Sequence, residues 1–215
     1  MKTLLLLHSL VLSLCYLFAF TTTTLAKGSY SYIRDVQGEV LNNGGLYYIF
    51  PVYAGNGGGL ELGRTGSEKC PRTVVQSPSD TSKGLPARLT SKLRFLRSDL
   101  LLNIEFELQN PTVCHGEKGE RIRWKVVGRS QIVKASTSVD EEEEEKEAIT
   151  GPFKIQPYKG FYKLVYCQLD QSDECRDLGI SVDQQENRRL VVKDGEPLLV
   201  VFIKAESGGD EDMVE

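Results

Sequence analysis

The chain has 215 residues, with 30 acidic and 26 basic side chains and a formal net charge of −4 at pH 7. That balance excludes a nucleic-acid binder working through a basic face. At the N-terminus, Lys2 precedes an apolar stretch over residues 4–20, and threonines lead into the small-x-small triplet Thr24-Leu25-Ala26. This order predicts a signal peptide over residues 1–26, since about 17 residues, apolar apart from a few small or weakly polar ones, is marginal for spanning about 30 Å of hydrocarbon. The expected product is secreted, with the vacuole as the other destination, and keeps no membrane segment once the leader is removed. Taking 26 residues from 215 leaves 189, and losing Lys2 moves the net charge from −4 to −5. That length suffices for one sizeable domain with a core.

Along the mature chain the periodic segments are short. After the turn Asn42-Asn43-Gly44-Gly45 comes the apolar and aromatic run at 47–50, followed by the glycine-rich stretch at 55–59 and a branched run at 73–75. Lys83-Gly84 marks another turn, and residues 102–106 alternate apolar with polar. Glu117-Lys118-Gly119 then precedes 122–126. Strand-like runs recur at 162–166 and 190–192, and Asp194-Gly195 introduces the last, 199–203. Alternation, branched and aromatic residues and interleaved turn chemistry predict strands. No long stretch keeps a helical period, so the fold class is all-β, a sandwich or barrel. The glutamates at 141–145 are read as a solvated loop, and residues 207–215 as a flexible acidic tail.

Cys15 and His8 leave with the leader, so the mature chain keeps Cys70, Cys114, Cys167, Cys175 and His115. An even cysteine count in an exported chain predicts disulfides, and four cysteines allow three connectivities. The short spacing of Cys167 and Cys175 suits a local staple, which leaves Cys70 with Cys114. Zinc would call for a CxxC pair that is missing, and neither a metal nor a cofactor is expected. His115 sits beside a disulfide candidate rather than a free nucleophile, so triad chemistry lacks its base. The glycines at 57–59 do not open a helix, as a phosphate loop would. The chain is not read as an enzyme.

At this point the sequence resembles a known family, the plant Kunitz inhibitors of the soybean trypsin inhibitor type. The first matching block is Ile33-Arg34-Asp35-Val36-Gln37-Gly38-Glu39-Val40-Leu41, continuing through Asn42-Asn43-Gly44-Gly45-Leu46-Tyr47-Tyr48-Ile49. Further blocks are Cys70-Pro71-Arg72-Thr73-Val74-Val75 and Tyr162-Lys163-Leu164-Val165-Tyr166-Cys167, then Cys175-Arg176-Asp177-Leu178-Gly179-Ile180 and Pro197-Leu198-Leu199-Val200-Val201-Phe202. The resemblance implies a β-trefoil over residues 27–206, with twelve strands in pseudo-threefold symmetry forming a six-stranded barrel capped by hairpins. It also implies the pairs Cys70–Cys114 and Cys167–Cys175. The implied activity is that of a monomer inhibiting a trypsin-like serine protease through an exposed, substrate-like loop.

The loop corresponds to Ser91-Lys92-Leu93-Arg94-Phe95. Setting Arg94-Phe95 on the family's closing pair puts Lys92 at the scissile position, Leu93 after it and Ser91 before it. Arg94 and Arg88 are the alternative specificity residues. The loop is shorter than the family pattern, without the Pro-aromatic element ahead of the basic residue. Asn43 corresponds to the family asparagine whose side chain supports the loop backbone; by itself Asn-Gly is also a hairpin signal. Trp124 and Tyr162 are read as core. The alternatives are the same fold acting on a cysteine protease, subtilisin or α-amylase, or a non-inhibitory storage or stress protein.

Overall fold

The computed structural model describes residues 30–108, 114, 121–128, 132–136, 148–149, 153–167 and 174–205. The leader at 1–26, His115, the acidic run at 141–145 and the tail at 207–215 lie outside the described residues. Thirteen strands are present among those described. A first set comprises β1 (Gly45–Pro51), β2 (Leu60–Gly63), β3 (Thr73–Gln76) and β4 (Ala87–Thr90). A second comprises β5 (Asn103–Glu107), β6 (Arg121–Val127), β7 (Ile132–Ser136) and β9 (Phe153–Tyr158), with the two-residue β8 (Ala148–Ile149) between the last two. The third is β10 (Phe161–Cys167), β11 (Cys175–Val182), β12 (Arg188–Val192) and β13 (Leu199–Lys204).

In each set the outer two strands build a barrel and the inner two form a hairpin. Antiparallel pairing joins β1 to β4, β4 to β5, β9 to β10, β10 to β13 and β13 back to β1. Reciprocal backbone bonds between Leu102 and Phe153, 2.8 and 2.9 Å, close the remaining seam between β5 and β9. The three hairpins meet pairwise, with Val75 opposite Arg189, Ile132 opposite Val191 and Thr73 opposite Lys134. Six barrel strands and three mutually paired hairpins make a β-trefoil of twelve strands, to which β8 adds an edge segment on β6.

The pleat explains which residues turn inward. In β1, Tyr47, Ile49 and Pro51 are buried while Tyr48 and Phe50 are half-buried, and in β4 Ala87 and Leu89 face the interior. Trp124 is buried, its ring centroid 5.1 Å from Phe106 and 6.1 Å from Phe153 in edge-on contact, a favoured geometry for aromatic pairs. Tyr162 packs against the core at its margin: it is half-buried, lies on Phe202 at 5.7 Å and accepts the Arg34 N–H on its hydroxyl at 2.9 Å. Two disulfides staple the chain, Cys70–Cys114 and Cys167–Cys175.

The glycine-rich stretch at 55–59 is a place of close backbone approach. A Cβ on Gly59 would stand 1.9 Å from the Lys83 carbonyl oxygen, which is backbone and cannot swing away. Gly59→Ala is therefore expected to cost about 3 kcal/mol, read as a lower urea midpoint. An unchanged midpoint would contradict this packing.

Candidate functional site

Residues 91–95 leave the barrel between β4 and β5, whose last pair is Thr90 with Asn103. Lys92, Leu93, Arg94 and Phe95 are all exposed, Leu93 at 42% and Phe95 at 37%. Leu93 and Phe95 therefore keep roughly two-fifths of their surface open to a partner. Lys92 has no carboxylate partner among the described residues. Arg94 lies 5.2 Å from the centroid of the Phe95 ring, and Phe95 meets Tyr32 edge-on at 6.3 Å. Arg88 does not project with them. It is half-buried beneath the turn, paired with Glu107 and donating to the Gly44 carbonyl, so it is placed as a support.

Both flanks of the loop are tied down. Ser91 N–H donates to Asn43 Oδ1 at 2.8 Å, and Asn43 N–H donates to the Arg94 carbonyl at 2.8 Å. One residue thus holds the chain before Lys92 and after Leu93. Ser91 Oγ donates to the Leu101 carbonyl at 2.9 Å, fixing the outgoing strand to the incoming one. Beyond Phe95, buried Leu96 donates to the Leu41 carbonyl at 2.9 Å and accepts from Ile33 at 3.1 Å. The Lys92–Leu93 bond is therefore flanked on both sides by fixed backbone.

Asn43 is placed by its own turn. Gly45 N–H closes back on the Asn42 carbonyl at 3.1 Å, and Gly44 takes φ +77°, a left-handed value that glycine adopts without penalty. Gly44 N–H then reaches the Leu89 carbonyl at 2.7 Å, seating the turn on β4. Of the residues picked out from sequence, Asn43, Ser91, Lys92, Leu93 and Arg94 come together here; the four cysteines are disulfide partners elsewhere. The supporting roles of Leu101, Leu41, the Arg88–Glu107 pair and Tyr32 were not visible in the sequence. Leu101 and Leu41 act through their carbonyls, Tyr32 through a ring contact with Phe95, and the ion pair through a register that only the paired strands define.

Residues 33–204 match the model of a protein family described as legume Kunitz, trypsin and protease inhibitor. The chain belongs to the legume Kunitz family of protease inhibitors. A trypsin inhibitor of Leucaena leucocephala is 54% identical over 181 residues, covering 82% of this chain and 98% of that protein. One from Enterolobium contortisiliquum is 42% identical over 180 residues, with 82% and 99% covered. Among solved structures, soybean trypsin inhibitor in complex with porcine pancreatic trypsin superposes with a TM-score of 0.70 at 33% identity, covering 82% of this chain and all of that one. This Kunitz family consists of inhibitors, not enzymes. The Kunitz trefoil supplies the barrel on which the tied loop stands.

Proposed function

We propose that the chain inhibits trypsin-like serine proteases by offering residues 91–95 as a substrate, with Lys92 as the specificity residue and Lys92–Leu93 as the scissile bond. The observation that carries this reading is an exposed basic residue followed by an exposed Leu93, with backbone bonds on both flanks. The lysine stem would pack in the trypsin specificity slot and its ammonium would meet the carboxylate at the bottom. A loop already held in its bound shape loses little further entropy on docking, and protease–inhibitor interfaces of ordinary size are among the tightest known. When the protease serine attacks the Lys92 carbonyl, the Leu93 amine that leaves remains tethered through Arg94 and Leu96. It stays in place to re-form the bond.

The working form in this reading is a monomer over residues 27–206, exported after loss of residues 1–26 and carrying the tail at 207–215. Plant Kunitz inhibitors are generally secreted or stored in vacuoles, and we favour secretion for this chain. Titrating active trypsin with the purified protein tests the function. Stoichiometric, one-to-one loss of activity is expected, and undiminished trypsin activity at excess inhibitor would overturn the proposal.

The support role of Asn43 gives a separate expectation. Asn43→Ala removes the acceptor for Ser91 N–H but leaves an exposed donor that water can satisfy. Inhibition should weaken about tenfold, while folding stability falls by less than about 1 kcal/mol. Asn43→Asp keeps an acceptor and should restore most of the affinity. Equal trypsin affinity for Asn43→Ala and the parent would sink this role.

A further inference from the structure

The end of β1 away from the loop carries a polar arrangement that protease binding leaves unused. Gln76, the last residue of β3, is buried. Its Oε1 accepts from Arg188 Nε at 3.0 Å and Nη2 at 2.9 Å, and its Nε2 donates to the Gly57 carbonyl at 3.2 Å. Only one orientation of the amide serves both partners, so Gln76 fixes the plane of the guanidinium. Arginine has five N–H donors; two of them are engaged with Gln76, leaving three. Arg88, Arg97, Arg123, Arg176 and Arg189 each face a carboxylate. No carboxylate among the described residues pairs with Arg188.

Arg188 borders an open cleft of about 500 Å³, a volume in the range of small-molecule sites. Pro51 and Ile180 contribute apolar wall, and Asn56 and Tyr53 line it too, the latter 60% exposed. Lys193, also on the cleft, is already paired with Glu196 at 2.5 Å. The site thus offers one oriented, uncompensated cation beside apolar surface and an aromatic ring. A carboxylate matches the guanidinium fork, and a fork held in advance loses little freedom on binding. Glu196 disfavours a dianion such as phosphate.

We propose that this cleft binds a small aromatic monocarboxylate, with Arg188 taking the carboxylate and Tyr53 covering the ring. Gly45 and Pro51 are six residues apart on β1, about 20 Å at 3.3 Å per residue, so the cleft and the 91–95 loop are separate surfaces. The proposal does not rest on trypsin inhibition.

The test uses 4-hydroxycinnamate and its neutral amide as probes, titrated into the purified protein by calorimetry with amide NMR spectra as the fold check. Saturable binding of the acid is expected, with the amide about tenfold weaker. Arg188→Gln should lose about tenfold for the acid and nothing for the amide. Tyr53→Ala, at an exposed position, should weaken both probes. No saturable binding of the acid to the parent would overturn the proposal, as would equal binding of acid and amide, or parent-like acid binding by a folded Arg188→Gln. Should Arg188→Gln fail to fold, acid binding that Tyr53→Ala leaves unchanged overturns it equally.

Discussion

Replacing Lys92 with alanine is expected to weaken trypsin inhibition about a thousandfold, about 4 kcal/mol, without moving the unfolding temperature. The two halves of that expectation have different origins. In the free chain the Lys92 side chain is exposed and has no carboxylate partner among the described residues, so truncation removes no ion pair seen there. In the complex the same truncation would leave the carboxylate of the trypsin pocket buried and unpaired, which is the larger part of the cost. Lys92→Arg should remain within about tenfold of the parent, because the charge is kept. Arg94 rests on the Phe95 ring, and Arg94→Ala is expected to cost no more than about tenfold. Inhibition that survives Lys92→Ala but disappears with Arg94→Ala would move the specificity residue to position 94.

Removing the Cys70–Cys114 bridge should act on stability instead. The two cysteines are 44 residues apart, and in the loop-entropy account such a cross-link contributes about 4 kcal/mol. For a domain of this size that corresponds to a fall of about 8–16 °C in unfolding temperature. The Cys167–Cys175 bridge, at a separation of 8, should contribute about 2.5 kcal/mol. The longer bridge encloses the 91–95 segment, yet none of the hydrogen bonds that hold the loop involves a cysteine. They run to Asn43, Leu101 and Leu41. Changing both Cys70 and Cys114 to serine should therefore lower the unfolding temperature while the protein that remains folded inhibits within about tenfold of the parent. Inhibition lost at unchanged stability would show that the bridge shapes the loop directly.

What was legible in the sequence follows from burial on the pleat. Runs rich in branched and aromatic residues, such as 47–50, 122–126 and 199–203, lie within β1, β6 and β13. Strands whose stability is tertiary were missed. β4 is four residues with two inward side chains, Ala87 and Leu89, and exists because β1 and β5 pair with both its edges. β11 carries Arg176, Asp177 and Gly179, which supply no strand pattern of their own. It is held between β10 and β12, and Asp177 meets Lys163 at 2.6 Å. β9 contains Pro157, whose missing N–H argues against a strand, though it sits near the strand's end opposite Tyr162.

Choosing a trefoil over another barrel needed the family resemblance. Closure depends on Leu102 meeting Phe153 and on three hairpins meeting one another, contacts that no local pattern encodes. The same holds at the site. Asn43 and the 91–95 loop were reachable through the resemblance. The Arg88–Glu107 pair beneath the turn was not, because Glu107 shares a face with Arg88 only in the register that sets Arg88 opposite Glu105.

The most direct test of the account is where trypsin cuts. The protein would be incubated at length with a catalytic amount of trypsin, then reduced, and the new chain ends sequenced. Slow, partial hydrolysis at one bond is expected, giving a new N-terminus that reads Leu93-Arg94-Phe95, with the two pieces held together by Cys70–Cys114 until reduction. A first cut after Arg94 or Arg88, or rapid cleavage at many sites, would contradict it.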